Sequence, residues 1–185
     1  MEIQSTIDRL TDRFQKAVKK NFAFLKEYGY KRPEFIQNFD SPQDMNFKMY
    51  FISKDLCVQV SWYLIYSVIE VKILELKDGS RAGRYSVYGH KGYARSISVV
   101  DLAEYHTNGK ITGPLPESLP GDSREQQIKI IKQSEEILIR NYDLVIYKFA
   151  ELTSIYAADI LKGDLSLFPL VQAYSRKKAN INGKW

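Results

Sequence analysis

The chain has 185 residues, 44% of them hydrophobic and 26% charged, with a formal net charge of +5. That is ample for one domain with a core, short for two, and outside the range of wholesale disorder. No stretch reaches the roughly 18 uncharged apolar residues of a membrane span, and no apolar leader opens the chain, so a soluble, cytoplasmic protein is expected.

In the first segment Ile3, Ile7, Leu10, Phe14, Ala17, Val18, Phe22 and Leu25 recur at three- and four-residue steps. This predicts an amphipathic helix over Ile3–Tyr28, closing an N-terminal region of 1–29 with Gly29 as its left-handed cap. Pro33 then biases Arg32 towards extended backbone, and Glu34–Phe39 reads as a short edge strand. Asp40–Asp44 is a turn by composition.

The stretch Phe47–Lys77 is dense in β-branched and aromatic residues and reads as a three-strand meander. The first strand spans about 46–53, with Phe47, Met49 and Phe51 on one side. The second spans about 56–62, with Leu56, Val58, Val60 and Trp62 on one side. The third spans about 68–77, with Ile69, Val71 and Ile73 inward and Glu70, Lys72 and Glu75 outward. Tyr63–Tyr66 fits either a short turn or a bulge within one long strand.

Residues 79–95 form a glycine-containing loop with room for a strand at Tyr85–Tyr88. Ile97–Tyr105 fits a strand or a short helix, and the spacing of Ser98 and Asp101 favours the helix. Thr107–Asp122 is a long loop. Ser123 and Gln126 offer a capping box, opening a helical tract to about Lys162. Asn141–Asp143 marks a kink or a break, which leaves one helix or two. Asp164 is placed to cap a last helix, Leu165–Lys178, with Pro169 in or near its first turn.

This order gives a single α+β domain over 1–185. An antiparallel β-meander of about three to five strands (34–105) carries the N-terminal helix and the C-terminal helices (123–178) on one face.

Motif spacing points away from most catalytic chemistries. His90 and His106 belong to no ligand-spaced cluster, so neither a metal nor a cofactor is expected. Nucleophile elbow, phosphate-cradling loop and dinucleotide turn are all missing from the sequence, and the reading leans away from an enzyme. The single cysteine, Cys57, excludes an intrachain disulfide and reads as a packing residue in its strand.

The polar cluster with the most chemistry to offer comprises Arg81, Arg84, Tyr88, His90, Lys91, Tyr93 and Arg95. Gly83, Gly89 and Gly92 let backbone amides approach an anion, while the cations supply charge-assisted hydrogen bonds. The tyrosines offer stacking surfaces for a base. Basic charge also gathers at both ends: residues 1–32 carry eight Lys/Arg against four acids, and 174–185 carry four against none. A nucleic-acid or other anionic partner would use such a distribution; solvated helix faces and a basic tail would produce it too.

Phe22-Ala-Phe24-Leu25, Tyr28-Gly29-Tyr30, Val58-Gln-Val-Ser-Trp62, Ser67 and Ile69-Glu70-Val71 together resemble a group of small, mostly uncharacterised bacterial helix–β-meander–helix proteins. Ala158-Asp159-Ile-Leu161-Lys-Gly163-Asp164 is similar to their closing segment. Tyr63–Tyr66 departs from the group by being more apolar than the charged link expected there. Some proteins of that group are candidate toxin-immunity proteins. The resemblance implies a fold and a non-enzymatic protein-binding role, by occlusion of a partner, and it transfers no catalytic residues. The basic net charge would suit an acidic or mixed partner surface. The alternative expectation is an anion- or nucleic-acid-binding module using the loop at 81–95.

Overall fold

The computed structural model describes residues 2–41, 45–76, 93–117 and 122–182. Helix α1 (Glu2–Asn21) buries Phe14, Ala17 and Val18 along its apolar stripe. It stops short of the expected Tyr28. The Asn21 side-chain amide donates to the Ala17 carbonyl at 2.9 Å, and Ala23–Tyr28 continues as a 3-10 helix. That tighter winding brings residues three apart into line, so Phe22 and Leu25 are both fully buried. Gly29 adopts φ 79°, and the N–H groups of Gly29 and Tyr30 donate to the carbonyls of Lys26 and Leu25. Only a residue without Cβ takes that left-handed turn at little cost.

Five strands follow: β1 (Glu34–Asn38), β2 (Asn46–Ile52), β3 (Leu56–Tyr63), β4 (Val68–Leu76) and β5 (Tyr93–Ser98). They pair antiparallel in sequence order, a simple meander. Between β2 and β3 Ser53 stands in for the missing glycine, exchanging hydrogen bonds with Leu56 through both its backbone and its hydroxyl. The link between β3 and β4 is a turn over residues 64–67, with Ser67 at φ 48°, and not a bulge.

Alternation places Phe47, Met49, Phe51, Val58, Val60, Trp62, Ile69, Val71, Ile73 and Ile97 in the main core with α1 and the later helices. Glu75, placed outward by its charge, instead shares the parity of Ile73. Its carboxylate accepts two hydrogen bonds from Arg95, at 2.5 and 3.1 Å, and the Arg95 guanidinium lies 5.3 Å from the Phe168 ring centre. At this corner of the sheet an ion pair replaces an apolar contact. The opposite face is not wholly solvated either: Tyr50, Cys57, Leu74 and Leu76 form a second, smaller buried cluster.

Ser98 ends β5 and also caps α2 (Val99–Thr107), its hydroxyl accepting the Val100 N–H at 3.2 Å. Strand and helix therefore meet inside the segment that is ambiguous in sequence. Helix α3 (Arg124–Tyr156) opens with the expected capping box: Ser123 and Gln126 bond reciprocally, at 3.2 and 2.7 Å. It consists of two helical segments that meet at a kink, where Asn141 leaves helical geometry (φ −129°, ψ 28°). The tract expected to reach Lys162 ends at Tyr156. A short α4 (Ala158–Leu161) restarts there and turns Ile160 and Leu161 into the core.

Gly163, at φ 106°, reverses the chain, and the Asp164 carboxylate accepts the Ser166 N–H before α5 (Leu167–Asn182) begins. No described helix is long and apolar enough to cross a membrane. The strand expected at Tyr85–Tyr88 and most of the Asp40–Asp44 turn lie outside the described residues.

Candidate functional site

Of the polar cluster singled out in sequence, Arg81, Arg84, Tyr88, His90 and Lys91 lie outside the described residues. Tyr93 opens β5, and Arg95 is committed to Glu75. That pairing, with the Glu75 hydrogen bond as its main cause, holds the Arg95 guanidinium above its ordinary pKa.

The other chemistry-bearing residues are spent on packing. His106 stacks on Tyr156 with ring centres 5.9 Å apart. Cys57 is fully buried, and desolvation, seconded by Glu34, pushes its thiol up, so it stays protonated and unreactive at neutral pH. Among the described residues no group of three His, Cys, Asp or Glu side chains is arranged to hold a metal ion.

One dense group of charges does exist. Lys178 of α5 donates to Glu104 of α2 at 2.8 Å and to Glu117 at 2.9 Å, with Asp101 3.6 Å away. Ser175 donates to Asp101 at 2.6 Å, and the Tyr174 hydroxyl donates to Glu104 at 3.4 Å. Burial alone would lower the Lys178 pKa, but the hydrogen bonds to Glu104 and Glu117 outweigh it and raise the ammonium above its usual value. A lysine held so firmly protonated is neither a base nor a nucleophile. The group fastens α5 to α2 and to the segment at Glu117.

What stands out beyond these contacts is the outer face of α3. Nine large apolar side chains are exposed among the described residues, and five of them belong to this helix: Ile128, Ile139, Leu144, Tyr147 and Ile155. Ile139 is 69% exposed and Ile155 59%, more than any other in that set. Exposed apolar residues scattered singly are ordinary, but a cluster on one element is not.

Around the Asn141 bend a groove lies along each flank of the helix. The first, about 400 Å³, is lined by Ile111, Pro114, Ile137, Leu144, Leu152 and Ile155. The second, about 500 Å³, lies between α1 and α3 and is lined by Ile7, Leu10, Trp62, Leu138, Ile139 and Tyr142.

The second groove has an unusual floor. Trp62 and Tyr142 pack with ring centres 4.9 Å apart, and Arg13 stacks over Tyr142 at 4.4 Å. The Trp62 indole N–H and the Tyr142 hydroxyl, both buried, have no hydrogen-bond partner among the described residues. Burial is the main reason the Tyr142 hydroxyl is held far above its ordinary pKa. Buried polar atoms of this kind are uncommon in folded proteins.

A basic opening of about 480 Å³ lies at the other end of α1. Lys19, Lys26, Lys31 and Arg32 surround Phe22 and Phe51, no acid lines the opening, and none of the four cations pairs with an acid among the described residues.

Sequence reasoning did not single out the α3 face. The available signal was the surplus of apolar residues in the second half of the helix, since Leu144 and Ile155 fall off the stripe that runs through Leu138, Tyr142 and Val145. Compared with family models, curated proteins and solved structures, the chain matches none.

Proposed function

We propose that the protein is a non-enzymatic protein-binding protein whose docking surface is the outer face of α3. The observation that carries this reading is the exposure of Ile139, Leu144, Tyr147 and Ile155 on α3, with Leu144 and Ile155 lining the groove on one flank and Ile139 the groove on the other. Leaving that much apolar surface in water gives up stabilisation of about 25 cal/mol per Å², which a partner would restore on binding. Helical segments packed on the core present such side chains with little ordering to be done, and flanking grooves accept side chains in return.

In the version implied by the resemblance to candidate immunity proteins, the face covers a toxin's working site. Capture experiments with the full chain test the reading. Ile139→Asp, Leu144→Asp and Ile155→Asp combined are expected to abolish retention of a partner that wild type and a Leu170→Asp control both hold. Equal retention by the triple variant, with helical content unchanged, would rule out α3 as the docking surface.

A second reading is supported by the basic opening at Lys19, Lys26, Lys31 and Arg32, which makes an anionic ligand, including nucleic acid, the alternative. It predicts binding of a short oligonucleotide at low salt that weakens steeply as salt rises. Binding unaffected by neutralising all four cations would dispose of it.

A further inference from the structure

Strand β3 pairs with β4 from Val68 to Glu75, but β5 reaches β4 only from Lys72 onward. Among the described residues Val68–Val71 is therefore an open edge. The cause is the path of the chain: Ser98, opposite Lys72, caps α2, so the backbone leaves the sheet there. An antiparallel strand turns the N–H and C=O of every second residue to each side, so two of these four residues keep their main-chain groups on the open side. Among the described residues none of the four has a backbone hydrogen bond outside the sheet.

A cavity of about 410 Å³ runs beside this edge. Val100 of α2, Leu115, Pro116, and Ile130 and Ile131 of α3 give it apolar walls. Gly113 lets the 113–117 segment close against α2, because a Cβ there would meet the Val100 side chain at 3.0 Å. Tyr66 and Val68, 45% and 37% exposed, stand at the mouth. Its two acidic lining residues are each paired with a lysine, Glu70 with Lys72 at 2.7 Å and Glu117 with Lys178 at 2.9 Å. The free edge of β1 is different: Pro33 precedes it and an exposed Glu34 begins it, features that discourage strand addition.

We propose that the open edge of β4 receives an extended peptide segment of a partner protein as an added strand. Main-chain hydrogen bonds to residues 68–71 hold it, and alternate apolar side chains enter the cavity. This surface is separate from the outer face of α3 and stands whether or not that face docks a partner.

The test begins with a random library of peptides about twelve residues long, displayed against the immobilised full chain. Selected peptides should alternate apolar residues. A synthetic winner should slow amide exchange within 68–71 by about ten-fold or more while leaving 34–38 unchanged. Val68→Lys should weaken that peptide by about ten-fold, and Ile36→Lys on β1 should not.

Three results would each overturn the proposal. One is no selection above background, and another is winners that protect residues away from 68–71. The third is free protein in which every amide of 68–71 already exchanges as slowly as those of 58–60. Loss of partner capture in the α3 triple variant, with peptide binding intact, would separate the two surfaces.

Discussion

Lys178 shows how one side chain can hold three parts of this fold together. Asp101, Glu104 and Glu117 converge on its ammonium, and the Glu104 side chain is only 8% exposed. Removing the cation would leave a nearly buried carboxylate without its charged partner and two more beside it. Lys178→Met is therefore expected to destabilise by about 1–3 kcal/mol, lowering the melting temperature by about 3–10 °C. An unchanged melting temperature would show that the cluster is solvated and idle. The residue was hard to single out in sequence, because it looks like any lysine of a basic tail; its role depends on contacts made 61 and 74 residues away. Cys57 was easier, since a single thiol inside an apolar alternation behaves as a small packing residue.

Elements were legible wherever a local rule sufficed. The Ser123–Gln126 capping box, the Gly29 cap and the alternation of β2 and β3 are short-range effects, and all three appear as expected. The capping box is expected to be worth about 1 kcal/mol, so Ser123→Ala should lower stability by that amount in thermal unfolding, and Ser123→Asp should recover most of it. No effect from Ser123→Ala would mean that α3 frays at its start regardless of the cap. Misreadings occurred where two rules compete. The helix expected to reach Tyr28 tightens after Asn21 because burying Phe22 and Leu25 together outweighs regular α-helical winding. Glu75 follows strand parity although its charge suggested the outer side, because Arg95 supplies a partner. The exposed face of α3 stayed hidden because a sequence cannot show which of two apolar stripes finds a neighbour.

At the scale of the molecule the buried titrating groups act in one direction. Burial raises the pKa values of Cys57, Tyr30, Tyr50 and Tyr142 in the fold, and carboxylate hydrogen bonds raise that of Lys178. Each group keeps its proton in the folded state at a pH where the unfolded chain would release it. The stability these groups contribute is present at neutral pH. It is lost as pH rises past the unfolded-chain values, about 8.5 for the thiol and about 10 for the phenols and the lysine. The melting temperature should fall steeply between about pH 9 and pH 11, and a flat profile there would contradict the burial of these groups.

The fold class followed from element order, but the proposed docking surface depends on how helices are distributed around the sheet, which local pattern does not encode. The most direct check of that surface is side-chain carbene labelling of the complex with a captured partner. Ile139, Leu144, Tyr147 and Ile155 are expected to label in the free protein and to be protected in the complex. Equal labelling of these four in both states, with protection elsewhere, would contradict docking on α3.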